Sequence, residues 1–382
     1  MIYLDNAATT FPKPKEVYCA VLDCMETYGA NPGRAGHKLA MRAGREIYEC
    51  RENIAKLLNV SNPMNIVFTH NATDSLNLAI KGVVKPGDHI ITTSIEHNSV
   101  IRPIKSLEKK GVENTIVKCD KLGQLDPEDI RKAIRPNTKL IVTTHASNVC
   151  GTIVDIESVG NIAKENNIVY LVDASQTLGV YDVDVQKLNV DMIAAPGHKC
   201  LLGPQGTGIL YIREGLNVDI LKEGGTGSNS EDLFQPNMMP DRYESGTHNT
   251  PGIAGLNAGV KFVLETGIEK IRHHEEELCD YMLKKLNEVP NVKIYGPLDS
   301  KKRAAVISIN IGDIDSGELT YLLDDMYDIA TRSGIHCSPL THETIGTLIQ
   351  GTVRFSFGYF NTKEEIDKTV EALIEIEKEI NM

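Results

Sequence analysis

The chain reads as an α/β protein: a three-layer domain around a mostly parallel sheet, followed by a smaller α+β domain. Three observations predict it. Short, nearly continuous apolar runs recur along the first part of the chain, helical patterns separate them, and after about residue 250 the alternation gives way to a long helical stretch. With 382 residues, 41% of them hydrophobic and 24% charged, the chain holds enough apolar material for one large core and has room for a second.

In chain order the expected strands are Ile66–Thr69, His89–Thr93, Thr115–Lys118, Leu140–Thr144, Val169–Val172, Met192–Ala195 and Thr207–Ile212. Several carry apolar side chains at consecutive positions, as strands do when helices cover both faces of a parallel sheet. The covering helices are expected at Ser75–Lys81, Ile101–Lys110, Pro127–Ala133 and Ile156–Glu165. From Pro251 a helical region runs through Leu286. Strands follow at Lys293–Tyr295 and Ala304–Ile311, then a helix over Leu319–Arg332, a strand over Gly351–Phe357 and a last helix from Lys363. Thr362 and Glu365 have the spacing of a capping box for that helix. The expected division is a large domain over 15–250 and a small one over 251–382, joined by segment 1–14, with Lys222–Met239 as a long loop rich in Gly, Ser and Asn.

Composition narrows the function. A net charge of −12 supplies no basic field for nucleic acid or an anionic membrane, so neither is an expected partner. MIYLDNAATT lacks a basic stretch followed by an apolar one, and no run reaches about 18 apolar residues, so a cytoplasmic protein is expected. The eight cysteines lie singly, without metal-ligand or disulfide spacing, which suits a reducing compartment and leaves no metal site to expect.

Ligands of such sheets gather beyond the carboxyl ends of the strands. Five connections there carry polar groups: Asn71-Ala72-Thr73, His97, Asn148, Asp173 with Ser175 and Gln176, and His198-Lys199. Each has a plain alternative. Asn71–Thr73 and His97 can be ordinary helix caps, and Lys199 a solvated surface charge. If the strands are parallel, however, all five converge on one edge. A lysine can hold an aldehyde covalently, an aspartate can keep a pyridine nitrogen protonated, a flat histidine can stack on a ring, and a helix N-terminus can hold a phosphate. Together these are the needs of pyridoxal 5'-phosphate, with Asn148 or Gln176 suited to its phenolic oxygen. GPQGTG lacks the lysine of a P-loop, and no Gly-x-Gly-x-x-Gly follows the first strand, so a nucleotide site is the weaker reading.

Ordered motifs span almost the whole chain: LDNAATT, HNATDSLN, the EHN segment at Glu96, HASNVCGT, VDASQ, GHKCLLGPQGTG, YESGTHNTPG, RSGIHC and VRFSFGYFN. In these the chain resembles the class V enzymes of the fold-type I aminotransferase kind, and within them the cysteine desulfurase and selenocysteine lyase group. It looks most like the second, short-loop branch of that group.

The resemblance implies that Lys199 carries the cofactor, that Asp173 pairs with its pyridine nitrogen, and that His97 stacks on the ring and is a candidate proton relay. Ala72, Thr73, His198 and the Ser175-Gln176 region would place the phosphate. Thr247 would reach the phosphate of a partner subunit, which makes a homodimer with composite sites. Arg354 would clamp the substrate carboxylate, assisted by Asn148, while Arg332 would bind a carbonyl or anchor the loop of Cys337. Cys337 itself reads in isolation as a small buried cysteine, yet Arg332 and His336 lie close to it in an aperiodic stretch. By the resemblance it takes sulfur from L-cysteine, leaving L-alanine and an enzyme persulfide that a thiol or protein acceptor discharges. The segment PLTHETIG and the pair Ala174-Ser175 depart from the commoner family pattern, which leaves the acceptor and the choice between L-cysteine and L-selenocysteine open. Selenocysteine lyase is the nearest alternative. An aminotransferase or β-lyase with a structural Cys337 is a more distant one.

Overall fold

The computed structural model describes residues 1–32 and 36–380. The chain opens with β1 (Ile2–Tyr3), α1 (Lys15–Asp23), α2 (Lys38–Leu57), β2 (Ile66–Thr69), α3 (Ala72–Val83), β3 (His89–Thr93), α4 (Asn98–Glu108) and β4 (Glu113–Val117). It continues through α5 (Pro127–Ala133), β5 (Thr138–Thr144), α6 (Ile156–Glu165), β6 (Val169–Asp173), β7 (Met192–Pro196) and β8 (Gly208–Ile212). Seven of these strands form one sheet in the order β2-β8-β7-β6-β5-β3-β4. Only β8 runs against its neighbours, so β2 through β7 all point the same way. The mostly parallel sheet is therefore as expected.

Alternate residues of the central strands feed two cores. Ile141, Tyr170, Val172 and Ile193 face one layer of helices that includes α2 and α6, while Leu140, Val142, Leu171 and Met192 face α3 and α4 on the other side. This double burial is why the strands read as continuous apolar runs.

The remaining elements are α7 (Thr250–Thr266), α8 (Ile268–Leu286), β9 (Val292–Tyr295), β10 (Val306–Ile311), α9 (Ser316–Tyr327), β11 (Ile329–Ala330), α10 (Pro339–Ile345), β12 (Val353–Ser356) and α11 (Lys363–Ile380). β12, β10 and β9 form a small antiparallel sheet. Two expected helices differ. The helical region before Leu286 breaks at Gly267, whose φ of 88° ends α7 and starts α8. The helix expected to reach Arg332 stops at Tyr327, because Asp328 turns left-handed (φ 59°) and Ile329-Ala330 leave to pair in parallel with Ile2-Tyr3. The capping box on α11 forms: Thr362 N–H donates to Glu365 Oε2 at 3.1 Å and Glu365 N–H to Thr362 Oγ1 at 3.4 Å.

The apolar packing changes hands within α8. Ile253, Leu256 and Val263 of α7 share a core with α2, whereas Leu278, Met282 and Leu286 of α8 pack with Ile307, Leu323 and Leu373. Segment 1–14 touches both parts. Leu4 lies in the second core, and Thr10 N–H donates to the His198 carbonyl at 3.1 Å in the first. Among the described residues no helix is long and apolar enough to cross a membrane.

Candidate active site

Because β2, β3, β5, β6 and β7 are parallel, their carboxyl ends open on one edge. There a cavity of about 230 Å³ is lined by Thr73, His97, Asn148, Asp173 and Lys199, each from a different connection. Ala72, Ser175, Gln176, His198, Arg332, Cys337 and Arg354 line it too. Thr247 does not: it faces a separate hollow beside Thr69, His70 and Asp74.

Lys199 leaves β7 in a turn that the N-terminal segment straps down, with the Thr10 hydroxyl donating to the Lys199 carbonyl at 3.0 Å. Burial pulls its ammonium down to about 8, while nearby Asp173 opposes that shift and Arg354 and Arg332 reinforce it. A lysine so placed offers free amine near neutral pH, which a solvated surface lysine does not. His198 accepts or donates through Nδ1 to Thr9 Oγ1 at 3.0 Å, and burial holds it neutral, down to about 4. Gln176 spends one N–H on the Ala7 carbonyl at 3.2 Å.

Asp173 ends β6 and is buried. Ser175 N–H donates to its Oδ1 at 3.0 Å, and the Ser175 hydroxyl donates to the same oxygen. The resemblance gives a hydroxyl of the Ser175-Gln176 region to a phosphate; here the Ser175 hydroxyl adds a second bond to the Asx turn and points at the carboxylate two residues back.

His97 is both a cap and a wall. Its Nδ1 accepts the Ser99 N–H at 3.1 Å at the start of α4, while the ring lines the cavity. Burial drives it to about 4, so the ring is flat, neutral and suited to stacking. Ser99 Oγ also meets Thr73 Oγ1 at 2.8 Å, which links the first turns of α3 and α4. Asn71 caps α3 by accepting the Asp74 N–H at 2.9 Å. The first-turn N–H groups of α3 have no partner within the helix and suit an anion.

The loop between β11 and α10 presents Cys337. His336 and Cys337 both take left-handed backbone, with φ of 48° and 57°. Each such residue costs about 1 kcal/mol or more, so the conformation persists only where surrounding bonds over-determine it. Three bonds do so. Asn98 N–H donates to the Cys337 carbonyl, Asn148 Nδ2 to the His336 carbonyl, and the Ser338 hydroxyl to Asn148 Oδ1, each at 2.8 Å. The thiol is exposed, whereas Cys24, Cys50, Cys150 and Cys279 are buried. Behind the loop, the His336 and His342 rings meet at a tilt of 37° with centroids 5.5 Å apart, both driven neutral by burial.

Arg354 on β12 is buried. Its Nη2 donates to Asp5 Oδ1 at 2.6 Å and its Nη1 to the Asn148 carbonyl at 3.1 Å, while Nε has no partner among the described residues. A guanidinium has five N–H groups, so enough remain to clamp a carboxylate. Arg332 lies beside it across a short backbone bridge.

Two contributors escaped the sequence reading. Asp5 anchors Arg354 from 349 residues away. Glu96 is fully buried under His97, where its Oε1 accepts from Thr93 Oγ1 at 2.5 Å and Thr144 N–H at 3.0 Å. Burial raises its carboxyl to about 8, with Asp173 adding to the rise, so it stays a neutral acid. The EHN segment marks its position, but nothing in that segment names its partners.

The donor set suits an anionic aldehyde bearing a basic ring nitrogen. It combines an amine of lowered basicity, a carboxylate, a flat neutral ring and a helix N-terminus. Sites of this kind, on the carboxyl edge of such a sheet, define group-transfer enzymes of the α/β aminotransferase plan. The chain belongs to the aminotransferase class-V family, whose profile matches residues 2–369. It is similar to a probable cysteine desulfurase of Methanothermobacter thermautotrophicus, at 36% identity over 98% of this chain and 94% of that one. A cysteine desulfurase IscS of Dictyoglomus turgidum is 34% identical over 97% and 93% of the two chains. Among solved structures, the apo cysteine desulfurase of Thermococcus onnurineus superposes with a TM-score of 0.93 at 35% identity, covering 99% of this chain and 95% of that one.

Proposed function

We propose that the chain is a pyridoxal 5'-phosphate-dependent cysteine desulfurase. It converts L-cysteine to L-alanine, holds the sulfur as a persulfide on Cys337 and passes it to a thiol or protein acceptor. The observation that carries this reading is the exposed Cys337 thiol, pinned in left-handed backbone at the cavity that Lys199 lines. A plain aminotransferase has no use for such a thiol.

Lys199 would hold the cofactor covalently, Asp173 would face its ring nitrogen, and His97 would stack on the ring. The start of α3, with Ala72, Thr73, His198 and Gln176, would hold the phosphate. Thr247, which faces away from this cavity, would serve the neighbouring copy in a homodimer. Bound there, the cofactor supplies an electron sink beside the substrate α-carbon. Arg354 would bind the substrate carboxylate, assisted by Asn148, and the Lys199 amine, freed when the substrate amine takes its place, would take the α-proton. Cys337 Sγ, as thiolate, attacks the substrate sulfur. One S–S bond forms, the carbon–sulfur bond breaks, and its electron pair stays on the three-carbon skeleton, which gains a proton and leaves as alanine. Eight unpaired cysteines fit a cytoplasmic location.

The test is intact-mass analysis after incubation with L-cysteine. Wild type gains one sulfur on Cys337 and forms alanine; Cys337→Ala keeps the cofactor's absorption band but forms neither product at a comparable rate. Lys199→Ala loses the covalently held band. Equal alanine formation by wild type and Cys337→Ala would sink the role of the thiol. L-selenocysteine in the same assay measures substrate preference.

A further inference from the structure

A second hollow, of about 420 Å³, opens from the mouth of the catalytic cavity and shares Thr73, His97, Ser99 and Cys337 with it. Two helices build its walls. Thr73, Asn77 and Lys81 lie four residues apart on α3, and Asn98, Arg102 and Ser106 do the same on α4, so each set forms one face of its helix. Both faces start beside Cys337: Thr73 lines the same hollow, and Asn98 N–H donates to the Cys337 carbonyl at 2.8 Å. Arg102 lies one turn farther along α4, about 6 Å at 1.5 Å per residue, and Lys81 two turns, about 12 Å, along α3.

The charge of this groove is unlike that of the chain. Acidic residues outnumber basic ones 52 to 40 overall, yet no Asp or Glu lines the groove, and Lys81 and Arg102 make no ion pair with any described residue. The N-termini of α3 and α4 add positive potential at the same mouth. Two cations without counter-charges, on a path that ends at one thiol, are complementary to an anion that carries its own reactive sulfur.

We infer that this groove receives the acceptor of the Cys337 sulfur, and that the acceptor it selects is an anionic low-molecular-weight thiol. This rests on the desulfurase reading. The acceptor thiolate attacks the terminal sulfur of the Cys337 persulfide: a new S–S bond forms on the acceptor, the enzyme S–S bond breaks, and Cys337 leaves as thiolate. The acceptor departs as a perthiol, and no external oxidant or reductant is consumed. Its carboxylate sits over Arg102, with Lys81 taking a second negative group.

Two measurements on the full chain test this separately from the desulfurase reading. In cofactor-free protein, alkylation of Cys337 is followed by peptide mass with iodoacetate and with iodoacetamide. The rate ratio favours iodoacetate over its value for free cysteine, and falls at least threefold in Arg102→Glu and, to a lesser extent, in Arg102→Gln. In cofactor-loaded protein carrying the Cys337 persulfide, sulfur release is compared at equal thiolate concentration for mercaptosuccinate, 2-mercaptoethanol and cysteamine. Mercaptosuccinate is fastest, succinate competes with it, its advantage shrinks in high salt, and Arg102→Glu reverses the order while persulfide formation is unchanged. The same order and the same alkylation ratio in wild type and both variants would overturn the inference. So would a change in oligomeric state in Arg102→Glu with acceptor order preserved, since the groove would then belong to an interface between copies. Efficient discharge only by a protein thiol would overturn it as well. Absence of any persulfide on loaded wild type would instead overturn the desulfurase reading, and this inference with it.

Discussion

The Asn148 side chain donates from Nδ2 to the His336 carbonyl and accepts from the Ser338 hydroxyl at Oδ1, so one residue grips the chain on both sides of Cys337. Its own carbonyl meanwhile receives Arg354. Cutting the amide should free the loop from its left-handed shape without touching Lys199 or Asp173. Asn148→Ala is therefore expected to keep the cofactor's absorption band and slow persulfide formation roughly tenfold to hundredfold, in line with two buried hydrogen bonds at about 1 kcal/mol each. Single-turnover mass measurements check it; an unchanged rate would show that the loop holds its shape without the clamp. Asn148 is visible in the sequence as a polar residue at a strand end. Its grip on Cys337 is not, because His336 and Ser338 lie 188 and 190 positions away. Asp5 is hidden for the same reason. Lys199, Asp173 and Cys337 are legible because short local motifs surround them.

At the scale of elements, Gly208 at the start of β8 packs against the turn that caps α3. A Cβ there would lie 2.6 Å from the Asn71 backbone carbon, and backbone cannot yield as a flexible side chain can. Gly208→Ala should thus push the cap of α3 toward the cavity and weaken cofactor affinity at least tenfold, while the far face of the sheet stays intact. Cofactor titration beside a circular dichroism spectrum measures this; unaltered affinity would mean the turn tolerates displacement. The strands of this sheet were readable because burial on both faces leaves uninterrupted apolar runs. The sequence pattern predicts no helix before β2. α1 buries only Val17 and so carries little periodic signal, although Ala40, Ala43, Ile47, Cys50, Ile54 and Leu57 do recur at helical spacing in α2. The reversed direction of β8 and the pairing of β11 with β1 depend on contacts between distant segments, which composition and periodicity do not encode.

For the whole molecule, buried titratable groups of two kinds shape stability against pH. Burial holds His97, His145, His198 and His342 down at about 4 and His336 at about 2, so an unfolded chain, with histidines near 6.5, takes up protons that the folded chain refuses. Their effect is a loss of stability as pH falls below about 6.5. Glu96 and Glu275 behave oppositely. Burial raises both to about 8, so the folded chain keeps protons that the unfolded chain releases above about 4.5, and stability falls as pH rises from there to about 8. Between about 4.5 and 6.5 five histidines oppose two acids; above 6.5 the acids act alone. Among these groups the balance places the stability maximum of the cofactor-free protein near pH 6.5. Glu96→Gln isolates one contributor, since Gln keeps the shape and cannot ionise. Its unfolding free energy relative to wild type should climb steadily from pH 5 to pH 8, at a slope approaching about 1.4 kcal/mol per pH unit in the middle of that window, with the melting temperature rising in step. Calorimetry of both proteins across the window decides it. A difference that stays constant with pH would mean that Glu96 is ionised in the fold, and that Asp173 shares its edge of the sheet with a second negative charge.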